Sequence, residues 1–229
     1  MQLLLKGHDF HFELENVSRL FLPQEKIVTR VVTEYPEENP TELCALCTMQ
    51  EEERVATLTC RVLLDDFDEQ LQATVSRDVA DYRDACELQL CTLLYHLLVK
   101  LLGFTHGWGL ITGVRPVKLL RRLIREQGEE AALAYFRDKL LVSEEKRRLC
   151  HTTLNIENEI LALSQPRSFS LYVSIPFCPT RCDYCSFVSQ TVVQAKKLIP
   201  EYVTRLCEEI AYTGRIAREL NLQLETIYF

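Results

Sequence analysis

Three cysteines lie within eight residues, in the run Phe177-Cys178-Pro179-Thr180-Arg181-Cys182-Asp183-Tyr184-Cys185. Thiols so close together in a polar, turn-like setting point to metal or redox chemistry. The count narrows the choice. A structural zinc normally takes four Cys or His ligands, and no histidine stands near this loop. Closed electron-transfer clusters also use four cysteines. Three thiolates on a four-iron, four-sulfide cube leave one iron open to an outside ligand. A reduced cluster with a sulfonium at that iron can place an electron in the C–S bond. For S-adenosylmethionine (SAM), cleavage yields methionine and a 5′-deoxyadenosyl radical, while the protein positions the partners and excludes water. Pro176 and Pro179 stiffen the loop, and Arg181 brings a positive charge beside the sulfurs.

The elements around this loop define its setting. SLYVSIPF reads as a strand, Pro200 opens the helix PEYVTRLCEEIAYTG, and LETIYF reads as a second strand. Strand, loop, helix and strand form one βαβ unit, with the cysteines past the carboxyl end of its first strand. Parallel α/β folds place reactive groups at that edge. A unit this short cannot close a barrel, so the chain reads as a fragment that stops early in one, and by itself it is not expected to sustain turnover.

Upstream, the predicted fold class is α/β throughout: an N-terminal α+β domain with a helical second half, over residues 1–165, then the first βαβ unit of an incomplete TIM-like barrel, over 170–229. LLLKG, KIVTRVVTEY, TELCALCTMQ and RVATLTCRVLL read as strands, and HFELENVSRLF as a helix. PEENP and Glu51–Glu53 supply turns, and Asp65, Asp66, Asp68 and Glu69 read as another. They lack the ligand alternation and glycine of a calcium loop. Ser76–Leu102 reads as one helix capped by Ser76, with Val79, Cys86, Leu90, Leu93, Leu94, Leu97 and Leu101 on a broad apolar face. Further helices are predicted from Pro116 to Gly128, over Glu129–Leu141, and over Glu144–Leu163 with Ser143 as its cap. Gln165–Ser168 is the linker.

Composition limits the partners. The 229 residues carry a net charge of -7 and a pI near 5.4, which disfavours broad nucleic-acid binding. The opening MQLLLKGHDFHFELEN does not read as a secretory signal. The most apolar run, Leu88–Phe104, includes Gln89, His96 and Lys100 and reads as a buried helix rather than a membrane span. A reducing, cytoplasmic compartment is expected.

The remaining candidates have plain structural readings. Cys44 and Cys47 form a CxxC inside a strand, where residues three apart point to opposite faces. Cys60, Cys86, Cys91, Cys150 and Cys207 read as core or near-core thiols, and His96 as a packed or capped histidine. His106 and Trp108 flank a glycine turn; from there they could reach a planar ligand or pack as a hinge. Lys118, Arg122 and Arg125 share a helix face, open either to solvent or to an anionic partner such as porphyrinogen carboxylates, tRNA or an acidic segment.

The C-x3-C-x2-C spacing after YVSIPFC resembles the radical SAM superfamily. Within it the loop looks most like the oxygen-independent coproporphyrinogen III oxidase branch, also called coproporphyrinogen dehydrogenase. GWGLITGVRPVKL, Gly107–Leu119, resembles a segment of the porphyrin-linked subgroup that carries an extra N-terminal domain. The resemblance implies that Cys178, Cys182 and Cys185 hold a 4Fe-4S cluster and that Tyr172 and Tyr184 line the SAM site. It also implies oxidative decarboxylation of coproporphyrinogen III propionates in porphyrin biosynthesis, driven by a reductant protein such as a flavodoxin or ferredoxin, without membrane or nucleic acid. LETIYF is similar to the family's second barrel strand. Ser174 departs from the pattern, because better characterised members have histidine there, and this loosens the tie to that one reaction. Two alternatives stand beside it: haem delivery or another substrate on the same cofactors, and a non-enzymatic interaction module.

Overall fold

A computed structural model describes residues 1–34, 42–113 and 115–229. The expected turn PEENP lies outside them. The chain divides into two compact units, Met1–Asn155 and Ile156–Phe229.

In the first unit, β1 (Gln2–Lys6), α1 (His11–Phe21), β2 (Val28–Val31), β3 (Cys44–Glu51), β4 (Val55–Leu64) and β5 (Phe67–Ser76) precede α2 (Tyr82–Leu102). The five strands make one sheet in the order β2-β1-β3-β4-β5. β1 runs parallel to both β2 and β3, while β3, β4 and β5 are antiparallel. Alternation decides which face is buried: Ala56, Leu58, Cys60 and Val62 of β4 are fully buried, with more exposed residues between them. They join Leu3, Leu5, Ala45 and Cys47 in a core covered by α1 and α2. Gly7 lets β1 leave the sheet beside β3. It takes φ +78°, and a Cβ there would lie 2.1 Å from the Met49 carbonyl oxygen.

By length and composition α2 could cross a membrane. Here it lies on the sheet and against α1, and buries Cys86, Leu90, Cys91, Leu93, Leu94, Tyr95, Leu97 and Leu98.

α3 (Pro116–Gln127), α4 (Glu129–Asp138) and α5 (Glu144–Leu161) form the helical half, as expected. Pro116 fixes the start of α3, where a missing N–H costs nothing. Leu120, Ala132, Phe136, Leu140, Val142, Cys150 and Leu154 form a second core. Ser143 does approach the first turn of α5, its Oγ accepting the Lys146 N–H at 3.3 Å.

Several expectations need correction. The helix starts at Tyr82, not Ser76; Ser76 ends β5, and Val79 is 46% exposed ahead of the helix. Asp68 and Glu69 lie on β5 rather than in a turn. They are held there by ion pairs to Arg61 on the neighbouring strand and to Lys100 on α2. Of the strand expected over Lys26–Tyr35, whose last residue lies outside the described ones, the described residues form β2 at Val28–Val31, paired in parallel with β1. His96 is exposed rather than packed.

The second unit contains β6 (Ser168–Tyr172), β7 (Phe177–Cys178), β8 (Gln190–Thr191), α6 (Val192–Ala195), α7 (Ile199–Glu219) and β9 (Gln223–Tyr228). β6 and β9 pair in parallel across α7, giving the expected βαβ order. The chain is therefore mixed α/β with parallel pairing in both units. Every residue of β9 is exposed. The thiol of Cys207 on α7 is exposed too, contrary to its expected place near a core. A two-stranded sheet offers this helix little to pack on, and Ala217 is its buried side chain.

Candidate metal centre

The cysteine loop leaves the carboxyl end of β6 and is pinned at its neck. Val173 donates its N–H to the Tyr228 carbonyl at 2.8 Å, which ties the exit of β6 to β9. Gln190 donates to the Pro176 carbonyl at 2.9 Å, and the short parallel pair β7–β8 aligns Phe177 with Gln190 and Cys178 with Thr191. Thr191 then accepts the Gln194 N–H at 3.3 Å and caps α6. The two ends of the loop are thus held together, while the cysteine-bearing part projects outward.

Tyr202 of α7 is the anchor that sequence reasoning missed. Its hydroxyl donates to the Ser174 carbonyl at 2.5 Å. Its ring meets Phe177 edge-on, with centroids 5.0 Å apart and planes at 90°. One aromatic side chain therefore holds the segment immediately before Cys178 against the helix. The signal for it was weak, because Tyr202 looks like any aromatic in the first turns of an amphipathic helix.

All three cysteines are free thiols: Cys178 and Cys185 are half-buried and Cys182 is exposed. The Cys185 N–H donates to the Cys182 carbonyl at 3.0 Å, forming a turn that keeps two of the three close along the chain. Arg181 donates to the Cys185 carbonyl at 3.4 Å, which holds its guanidinium over the loop. Among the described residues, no three His, Cys, Asp or Glu side chains converge as a formed metal pocket. The donor set nevertheless suits an iron–sulfur cluster in type and number, on an exposed loop with no disulfide to restrain it.

Tyr172 ends β6 and stacks on Tyr228 of β9, with ring centroids 5.5 Å apart and planes at 21°. The pair lies at the edge from which the loop departs. Tyr184, between two of the thiols, is 89% exposed.

The other cysteines behave differently. Cys44 and Cys47 are buried, but Cys47 faces the core and meets Cys60 on β4, with their sulfurs 3.6 Å apart. The contact with Cys60, together with burial, pushes the Cys47 thiol well up, away from metal or nucleophilic chemistry. Burial pushes Cys44 up to about 11 and likewise raises Cys91. Lys118, Arg122 and Arg125 are all exposed on α3, and Arg122 pairs with Glu126 at 3.8 Å.

Over its whole length the chain is similar in sequence to an oxygen-independent coproporphyrinogen-III oxidase-like protein. The relative found is the oxygen-independent coproporphyrinogen-III oxidase-like protein HemZ of Bacillus subtilis (strain 168), 26% identical over 240 residues. The match takes in 100% of this chain and 46% of HemZ, so the chain spans a little under half of that relative's length. No family model matches the chain, and no solved structure does.

Proposed function

We propose that Cys178, Cys182 and Cys185 hold a 4Fe-4S cluster and that Tyr172 and Tyr184 line the adjoining SAM site of a radical SAM oxidoreductase. Its proposed substrate is coproporphyrinogen III, whose propionates it decarboxylates oxidatively in porphyrin biosynthesis, with a flavodoxin- or ferredoxin-like reductant. One observation carries this reading: three free thiols share a loop that is pinned at its neck past the end of a parallel strand. Similarity to HemZ supports the substrate class.

When bound, the cluster and SAM would supply hydrogen-abstracting radical chemistry for converting a propionate to a vinyl group and carbon dioxide, with the one electron released passing to an external electron acceptor. The chain's own residues hold and orient. The three thiolates bind the iron, and the β7–β8 pair and Tyr202 fix the first of them. Tyr172, backed by Tyr228, offers a flat face beside the loop for an adenine or a sulfonium. Arg181 sets a positive charge against the anionic sulfurs.

Excluding water is where this chain is weak. Tyr172, Ile227 and Tyr228 are all more than half exposed, so a radical formed there would meet solvent. The reconstituted 229-residue chain is therefore expected to bind SAM and release a single equivalent of 5′-deoxyadenosine per cluster rather than many. An oxygen-free assay with SAM, dithionite and coproporphyrinogen III tests this. Many equivalents would overturn the solvent-exposure argument, and none from a loaded cluster would overturn the SAM site. Deoxyadenosine without carbon dioxide would favour another substrate or haem delivery.

A further inference from the structure

α5 is one continuous helix with two apolar faces. Cys150 and Leu154 carry one of them into the second core. The other lies in the open: Leu149, Ile156 and Ile160 are each more than half exposed, and Leu163, in the turn that follows the helix, is more exposed still. With Thr153 they stand at positions 149, 153, 156, 160 and 163, alternately four and three residues apart. That alternation is the seam of a helix that packs along another helix. Thr153 suits the seam, because its hydroxyl donates to the Leu149 carbonyl at 2.9 Å and brings no unsatisfied polar group to it. Apolar side chains scattered singly over a surface need no partner, but a row of them calls for one.

The charges beside the stripe show which helix fits. Arg148 and Glu159 are eleven residues apart, close to three full turns, so they share one flank of the stripe. Both are exposed, and among the described residues neither makes an ion pair. Arg148 sits towards the amino end of the helix and Glu159 towards its carboxyl end. A second α5 laid antiparallel on the first brings Arg148 of each copy level with Glu159 of the other, twice over, as a two-fold axis requires. The same alignment sets Leu149 near Ile160 of the other copy, with Thr153 and Ile156 between them. A parallel pair would instead set Arg148 level with Arg148 and Glu159 level with Glu159. The flank is therefore complementary to its own copy in the antiparallel orientation.

We infer that the exposed face of α5 is a self-association surface, on which a second copy of this chain packs antiparallel, stripe against stripe, with two Arg148–Glu159 pairs on its flank. One helix pair is a small interface, so the association is weak, with a dissociation constant of about 10–100 μM. It rests on neither the cluster nor the SAM site.

Sedimentation equilibrium under reducing conditions, over about 1–300 μM chain, tests this. The mass is expected to climb from 26.6 kDa towards twice that value. Ile156→Glu combined with Ile160→Glu should hold it at the monomer throughout. Arg148→Glu or Glu159→Arg alone should weaken the association by about three- to tenfold. Both swaps in one chain should restore it, and an equal mixture of the two single-swap chains should associate more tightly than either alone. No contact within one chain can give that rescue, since the two residues lie about three turns apart on the same helix. A chain that stays a monomer over the whole range would overturn the inference. So would an association that the isoleucine variant leaves unchanged, or a doubly swapped chain that associates no better than the single swaps. The charge readouts stand even if the isoleucine variant fails to fold.

Discussion

At the scale of single residues, the cysteine loop depends on contacts that its own sequence does not display. The count and spacing of Cys178, Cys182 and Cys185 are read directly from the sequence, and as the proposed ligands of a four-iron cluster they would leave one iron open. Tyr202 was not, since its hydroxyl acts on a carbonyl 28 residues away and carbonyl positions leave no mark in a sequence. Removing that hydroxyl in Tyr202→Phe should cost about 1 kcal/mol of local stability. The variant is expected to load iron normally but to lose its cluster faster on dilution into chelator; an unchanged rate of loss would show that the bond does not restrain the loop. Tyr202→Ala, which also removes the ring contact with Phe177, should lose it faster still. His8 gives a separate test. It is part-buried, accepts the Phe10 N–H through Nδ1 at 3.2 Å, and lies 3.1 Å from the Cys47 carbonyl through Nε2. Burial is the main reason its pKa falls below the ordinary value of 6.5. In the unfolded chain His8 takes up a proton as pH drops through 6.5, while in the folded chain it resists. Stability should therefore be full above that pH and decline as pH falls towards the lower native value. Urea unfolding at successive pH values is expected to show this decline and to show less of it in His8→Phe. Equal declines would remove His8 as the cause.

Among the elements, most of the strands and helices were legible from periodicity, and two of the misreadings lie along β5 and at the start of the helix that follows it. Phe67, Leu71, Ala73 and Val75 alternate with polar residues along β5, which is a strand pattern. The acidic residues at its start suggested a turn instead. Edge strands often carry such charges because they discourage pairing with other chains, and β5 is an edge. Cys207 was misread for the opposite reason. Helical spacing shows that a face is apolar, but not that a partner covers it. The backbone crossings at Gly7 and Gly109 can be tested directly. Either residue changed to alanine places a Cβ 2.1 Å from a carbonyl oxygen at positive φ. Destabilisation of at least about 1–3 kcal/mol is expected from the backbone strain alone, read as a lower urea midpoint. Gly103→Ala is the control: it has a similar φ of +77° but nothing within 4 Å of the added atom, so it should lose less. Equal losses at all three sites would mean that strain, not close approach, sets the cost.

Over the whole molecule, two compact units carry different kinds of chemistry. The first has two apolar cores and buries its cysteines. The second presents three free thiols on a pinned loop, with an exposed parallel strand pair behind it. Sequence could set out the βαβ order and the donor set, because both follow from local spacing. It could not reveal how openly β9 would lie, since exposure depends on what packs from elsewhere. The central claim is that the three thiols of this loop, and not the buried cysteines, bind the iron. Its most direct test is the iron and sulfide content and the absorption spectrum of the chain reconstituted without oxygen, compared with Cys182→Ala and with Cys60→Ala. A cluster of four irons per chain that Cys182→Ala abolishes and Cys60→Ala leaves intact is the expected result. A cluster that survives Cys182→Ala, or zinc bound in its place, would contradict the account.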